Sequence, residues 1–235
     1  MKIFCKDFSE INWEQVPSYS IHPSVHLWLI NVATDAQIVQ QLKDTLNEDE
    51  LKRTERFAFE KDRNQFITAH GTLRTVLAKY LETTPSAIQF KKSKNKKPQL
   101  LFPLTSLKFN ISHSENKILI AVSDAETGVD IEMIKPGFEF KEFIKTYFSS
   151  GEQNKILNSP NPNETFYKYW TRKESVLKAS GLGIIDNLKE IEVCNDENNS
   201  SFFKENLYVA SFKIEENFFA SIACTPDKPI RFLKI

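Results

Sequence analysis

The chain has 235 residues, 40% of them hydrophobic and 26% charged, enough for one large or two small globular domains with cores of their own. Its 31 basic residues balance 31 acidic ones, so overall charge gives no case for a nucleic-acid partner. Three scattered cysteines, Cys5, Cys194 and Cys224, make neither a disulfide framework nor a zinc site, which favours a reducing, cytoplasmic compartment. Charges interrupt the segment Met1 to Asp7, so it does not read as a signal peptide. No apolar run approaches the roughly 20 residues of a membrane span, and no membrane partner is expected.

Residues 25–32 read as a buried strand. His22 and His26 beside it read as packed or surface histidines rather than ligands. A helix is expected near 35–46. Asn47 and Glu50 have capping-box spacing and open a second helix carrying Leu51, Lys52, Arg53, Arg56 and Phe57. Residues 62–80 predict a long helix with Phe66, Leu73, Val76, Leu77 and Tyr80 inward, and Pro85 closes the helical run. The basic run 91–97 reads either as a solvated loop or as an anion-binding one. A strand over 109–114 ends in a Ser-His corner. An apolar strand over 118–122 and a strand over 128–132 follow. Residues 135–137 form a turn and 139–148 a helix, and Ser149 with Glu152 repeats the capping-box spacing. A loop over 158–163 leads into a helix over 164–180 with an apolar stripe of Phe166, Tyr169, Trp170, Val176 and Leu177, ended by Gly181 and Gly183. The remainder predicts strands over 189–193, 207–215, 218–225 and 230–233, with a polar loop over 196–201.

Two of these elements carry chemistry. Strand side chains alternate, so Asp130 and Glu132 share a face. Two adjacent carboxylates repel unless a positive group lies between them, and a hard divalent cation such as Mg²⁺ takes oxygen ligands. A bare Asp-x-Glu is more often a solvated strand end. Glu174 and Lys178, four apart on a helix, also share a face, most often as a surface ion pair. Taken together, the third carboxylate completes a metal site and the lysine one turn on holds a phosphate.

The segments Asn110-Ile-Ser-His-Ser114, Gly128-Val-Asp-Ile-Glu132 and Trp170-Thr-Arg-Lys-Glu-Ser-Val-Leu-Lys178, in this order, resemble the motifs of the Sfp-type 4'-phosphopantetheinyl transferases. Weaker similarity at Arg56-Phe57, Asp62, Leu73-Arg74 and Lys97-Pro98 extends the resemblance over residues 51–183. It implies transfer of the phosphopantetheine arm of coenzyme A to a serine of an acyl, peptidyl or aryl carrier protein, with release of adenosine 3',5'-bisphosphate. It also implies an α+β fold of two similar halves about a pseudo-twofold, each a long helix on a small, mostly antiparallel sheet. Residues 1–124 would take the nucleotide end of coenzyme A and supply the Ser-His corner. Residues 125–235 would supply the Asp-x-Glu strand and the Lys-Glu helix. A faint internal repeat agrees: Leu73-Arg-Thr-Val-Leu77 echoes Lys173-Glu-Ser-Val-Leu177 one hundred residues on, and Glu115-Asn116 echoes Glu216-Asn217.

The resemblance places Mg²⁺ on Asp130, Glu132 and Glu174, and phosphate oxygens against Ser112 and His113. Lys178, with Lys173, would neutralise phosphate charge, although neighbouring helical positions point about 100° apart. Three candidates could take the acceptor serine's proton: Glu174, Glu152 and a water held by the metal. Glu152 reads equally well as a helix cap. Arg53 and Lys97 are candidates for the outlying 3'-phosphate of coenzyme A. Here the chain departs from the family twice. Lys96 stands where a Gly-Lys-Pro has its glycine, and Glu50 stands where one of two basic residues is usual, with Lys52 or Arg56 as substitutes. A monomer is expected, meeting an acidic apo carrier protein through residues 134–148. That segment offers Lys135, Lys141 and Lys145 for steering and Phe138, Phe140 and Phe143 for anchoring, though it also reads as an ordinary amphipathic helix. Two other readings compete. One is a different Mg²⁺-dependent phosphotransfer enzyme, although no P-loop motif is present. The other is a non-catalytic module binding carrier proteins or coenzyme A, although all three acids are present.

Overall fold

A computed structural model describes residues 1–15, 18–183, 187–200, 203, 205–225 and 227–235. The first half runs β1 (Lys2–Phe8), β2 (Val25–Asn31), α1 (Ala36–Lys43), α2 (Glu48–Thr54) and α3 (Glu60–Tyr80). A 3-10 turn at Pro85–Ala87 then leads to β3 (Gln89–Lys92), β4 (Pro98–Phe102), β5 (Lys108–Ser114) and β6 (Lys117–Ser123). The second half runs β7 (Thr127–Met133), α4 (Lys141–Tyr147), α5 (Ser150–Leu157) and α6 (Pro162–Ser180). After a 3-10 turn at Leu188–Glu190 come β8 (Glu197–Asn199), β9 (Leu207–Ile214), β10 (Phe218–Cys224) and β11 (Ile230–Lys234). The fold is α+β. No helix among the described residues is long and apolar enough to cross a membrane.

The strands form a five-stranded sheet ordered β7-β10-β9-β1-β8, a four-stranded sheet ordered β11-β2-β6-β5, and the separate hairpin β3-β4. Period-two alternation builds four layers from them. In the four-stranded sheet, Trp28, Ile118 and Ile120 face Leu73, Val76 and Leu77 of α3. Leu27, Leu29, Leu119 and Ala121 face the other way, against Val129, Ile131, Phe212 and Ile222 of the five-stranded sheet. The far side of that second sheet, with Val209, Phe219 and Ala223, packs on Phe166, Tyr169 and Val176 of α6. Apolar burial on both faces explains why β6 has an unbroken apolar run, and why β10 is apolar but for the buried Ser221, rather than alternating. The chain ends cross over. β1 lies parallel to β9 in the second half's sheet, and β11 lies parallel to β2 in the first half's.

The expected caps form. Asn47 with Glu50 and Ser149 with Glu152 make complete capping boxes, and Gly181 ends α6 in the left-handed conformation, φ 67°. Several segments differ from expectation: the second helix ends at Thr54, short of Arg56 and Phe57, Lys91 and Lys92 of the basic run belong to β3, and β1, β3 and β4 carry no sequence expectation. Residues 189–193 are not a strand, because buried side chains take their backbone groups. Lys173 Nζ donates to the carbonyls of Leu188 and Ile191, and the Val193 N–H donates to Glu152. Residues 196–201 are not all loop, since β8 pairs antiparallel with β1. This edge strand buries only Asn198, so it carries no apolar signal; Ser201 lies outside the described residues.

Gly128 fixes the approach of α6. A Cβ there would lie 2.2 Å from both Ala179 N and Ser175 O. Only a bare backbone lets the helix lie directly on β7, and that approach brings Glu174 and Lys178 to the strand's carboxylates.

Candidate active site

The site lies on the seam where the two sheets meet. There β5 and β7 run side by side in the same direction, joined by side chains rather than a backbone ladder. Asn110, Ser112 and Ser114 alternate onto one face. Asn110 Oδ1 accepts the Val129 N–H at 2.9 Å, and Ser112 Oγ donates to Asp130 Oδ1 at 2.9 Å. Ser114 Oγ donates to Glu132 Oε2 at 3.2 Å and accepts the Met133 N–H at 3.0 Å. The Asn-x-Ser-x-Ser spacing is the signal that could have revealed Asn110 and Ser114 as bridging residues. Sequence reasoning had stopped at Ser112 and His113.

Helix α6 closes the seam. Lys178 Nζ donates to Asp130 Oδ1 at 2.7 Å and to Ser112 Oγ at 2.9 Å. Asp130 is only 4% exposed, and its second oxygen, Oδ2, is buried with no partner among the described residues. An unpaired buried carboxylate oxygen is costly. Its neighbours add to the negative charge. Burial, then the charge of Asp130, pushes the Glu132 carboxyl up to about 7. The same two causes, in the same order, raise Glu174. Burial, then the Lys178 charge, holds His113 below the usual histidine range. These groups line one cavity of about 570 Å³. It meets a second, of about 470 Å³, at Arg53, Phe66, His70 and Ile111.

Residues 126–225 match the family model of the 4'-phosphopantetheinyl transferase superfamily, and residues 33–125 match that of the 4'-phosphopantetheinyl transferase N-terminal region. Over 174 residues the chain is 37% identical to the 4'-phosphopantetheinyl transferase HetI of Nostoc sp., covering 72% of this chain and 73% of the relative. The chain belongs to the 4'-phosphopantetheinyl transferase superfamily. Similarity to a putative 4'-phosphopantetheinyl transferase of Synechocystis sp. is 33% over 180 residues, 75% of this chain and 72% of the relative. The 4'-phosphopantetheinyl transferase Sfp of Bacillus subtilis is 28% identical over 141 residues, 59% of this chain and 62% of the relative. The protein is thus an enzyme, a phosphopantetheinyl transferase.

The transferase's other candidate residues are placed elsewhere. Glu152 and Lys173 do not reach the cavity. They form a wholly buried pair, Nζ to Oε2 2.8 Å, with both side chains 0% exposed. Burial pushes the Glu152 carboxyl up and the Lys173 ammonium down, while each partner's charge opposes the shift. The first half carries the same device. Arg74 on α3 pairs with Glu50 at 2.7 Å and donates to the carbonyls of Pro85 and Ile88. In each half the capping-box glutamate meets a buried cation of the long helix, which also ties down the following 3-10 turn.

Lys97 Nζ holds Glu126 Oε2 at 2.9 Å and the carbonyls of Thr127 and Ala179. It therefore links the β3–β4 turn to β7 and α6. Lys96 takes φ 64°, the left-handed conformation that glycine adopts without strain. Arg53 is exposed at the junction of the cavities, its guanidinium 4.7 Å from the Phe66 ring centroid. Phe138, Phe140 and Phe143 all pack on the ring of Phe166; Phe138 remains 40% exposed, and Lys141 and Lys145 lie at the surface.

The family implies Mg²⁺, and the donors present are of the right kind. Asp130 Oδ2 lacks a partner, and Glu132 and Glu174 line the same cavity. Among the described residues no three His, Cys, Asp or Glu side chains come together as a metal-holding group. The three predicted ligands thus line one cavity without being gathered as a ready-made ligand set.

Proposed function

We propose that this transferase is of the Sfp type and moves the phosphopantetheine arm of coenzyme A to a serine of an apo carrier protein, with Mg²⁺ as cofactor. Asp130, Glu132 and Glu174 would hold the ion. When bound, Mg²⁺ neutralises the pyrophosphate and polarises the phosphorus under attack. The serine oxygen attacks the phosphorus bearing the pantetheine arm, and the bond from that phosphorus to the bridging oxygen breaks. Adenosine 3',5'-bisphosphate leaves. Glu174, which lines the cavity, or a water held by the metal would take the serine proton. Glu152 lacks that access. Lys178 turns from Asp130 to the leaving phosphate, where its charge is needed most. Ser112 and His113 orient the phosphate oxygens.

The observation that carries this reading is the unpartnered Asp130 oxygen beside Lys178 and Ser112, in the cavity that Glu132 and Glu174 share. All these groups come from one chain, so we infer that a monomer suffices. The nucleotide end of coenzyme A is assigned to residues 1–124 and the metal groups to 125–235. The repeated glutamate–cation device supports descent of both from one duplicated unit. Lys135, Lys141 and Lys145 are assigned to steering an acidic carrier. The test is loading of an apo acyl carrier protein from fluorescently tagged coenzyme A, with Mg²⁺ or with EDTA. Labelling that requires Mg²⁺ supports the reading. No labelling of any acyl, peptidyl or aryl carrier by folded enzyme contradicts it.

A further inference from the structure

We infer that His70 is a binding residue for the outlying 3'-phosphate of coenzyme A, held in place for that task by Glu50. This rests on the reading of coenzyme A as the donor.

His70 sits on α3 at the junction of the two cavities. Its ring lies on Phe66, with centroids 4.1 Å apart, and the Arg53 guanidinium lies 4.7 Å from the same Phe66 centroid. One aromatic ring therefore gathers two nitrogen-rich side chains from different helices. Glu50 sets the orientation. Its Oε1 is 3.4 Å from His70 Nδ1. Its Oε2 accepts the Asn47 N–H at 3.0 Å and the fully buried Arg74 Nε at 2.7 Å. A carboxylate fixed from behind by a helix cap and a buried guanidinium cannot turn to follow a ligand. It faces Nδ1, fixes the ring's orientation and turns Nε2 toward the cavities. Nε2 is left without a protein partner among the described residues, on a side chain 29% exposed.

Asp62, Asp130, Glu132 and Glu174 make the first cavity acidic, whereas in the second Lys52, Arg53, Arg56, Lys91 and Lys92 outnumber Asp49 and Glu50, so an anion is favoured on that side of His70. Arg53 comes from α2, His113 from β5, and Lys91 and Lys92 from β3. Lys97 is already committed to Glu126 and two carbonyls. Lys52 on α2 and Arg56 beyond its C-terminal end are exposed, and ordering such long side chains costs more entropy than using a ring that is already packed. Glu50, an acid where a base was expected, thus removes one cation from α2 and orients a ring on α3. A phosphomonoester dianion takes charge-assisted bonds from both sides, and Arg53 with His70 supplies them.

Coenzyme A and dephospho-coenzyme A differ only in the 3'-phosphate, so calorimetry with the two isolates this contact. His70→Gln keeps a polar group facing Glu50 and removes the imidazole. It should weaken coenzyme A about fivefold, the size of one partly exposed charge contact, and leave dephospho-coenzyme A unchanged. His70→Arg should restore the difference. In the wild-type protein with labelled histidines, the His70 ring resonance should shift with coenzyme A and stay in place with dephospho-coenzyme A; this holds whatever the variants' stability. Equal weakening of both ligands by His70→Gln, or an unmoved His70 resonance, would overturn the inference and leave the donor reading intact. Failure of the wild-type protein to bind either ligand would overturn both.

Discussion

Glu152→Gln separates a structural acid from a catalytic one. The wild-type carboxylate accepts from Lys173 Nζ at 2.8 Å, the Ser149 N–H at 3.0 Å and the Val193 N–H at 2.9 Å, with no exposure to solvent. The amide is the same shape, but it leaves the Lys173 ammonium without a counter-charge. Breaking a buried pair from one side costs about 3–5 kcal/mol, a large share of the roughly 5–15 kcal/mol that holds a domain folded. For a chain of this length each kcal/mol moves Tm by roughly 2–4 °C, so Tm should fall by about 6–20 °C. Loading of a carrier protein, measured well below that Tm and corrected for folded fraction, should stay within about threefold of wild type. A general base would instead contribute about 10²–10⁴-fold. The reasoning fails if Tm is unchanged while turnover drops a hundredfold or more. Adding Lys173→Met should recover part of the lost stability, because the uncompensated charge is then removed.

Three other outcomes follow from the geometry. Gly128→Ala would place a methyl 2.2 Å from two backbone atoms of α6. It should cost at least the roughly 1–3 kcal/mol of an overpacked core and lower turnover as α6 backs away, both measurable by melting and loading assays. Asp130→Ala and Glu174→Ala should each cut transfer by more than the about 10–100-fold typical of outer-shell losses, with Glu132→Ala milder because water replaces one ligand. Near wild-type turnover in both of the first two would contradict the assigned metal groups. His26 is fully buried, with Nδ1 2.6 Å from the Tyr80 hydroxyl that also accepts from Trp28. Burial, then the Arg231 charge, lowers it to about 4, so below the usual histidine value the unfolded chain binds the extra proton. The stability present above about pH 6.5 is then lost as pH falls toward 4. Relative to His26→Gln, the wild type should lose about 2 kcal/mol between pH 7 and pH 5. A difference independent of pH would refute the linkage.

Much of the fold was legible because its signals are local. The apolar stripes of α3 and α6, the two capping boxes and the buried runs of β6, β9 and β10 each lie within a few residues of sequence. Spacing alone also puts Asp130 with Glu132, and Glu174 with Lys178. What escaped is long-range. Lys173 and Glu152 draw the backbone of residues 188–193 away from a strand, and nothing near those residues announces it. Strands β1 and β8 are recruited across the chain by β9 and by one buried asparagine. The pairing of Glu50 with Arg74 and His70 spans α2 and α3. From sequence, Glu50 was a missing base rather than the residue that orients one. Lys97 looked free, yet its carbonyl and carboxylate partners lie 29 or more residues away.

The most direct measurement follows both products of a single reaction. Enzyme, coenzyme A and Mg²⁺ are incubated with apo acyl, peptidyl and aryl carrier proteins, and the carriers are weighed intact by mass spectrometry while released nucleotide is quantified. The account predicts a carrier heavier by one phosphopantetheine group, one adenosine 3',5'-bisphosphate per modified carrier, and no gain when the acceptor serine is alanine. Folded enzyme that leaves every carrier unmodified, or that releases nucleotide without adding mass to the serine, would contradict it.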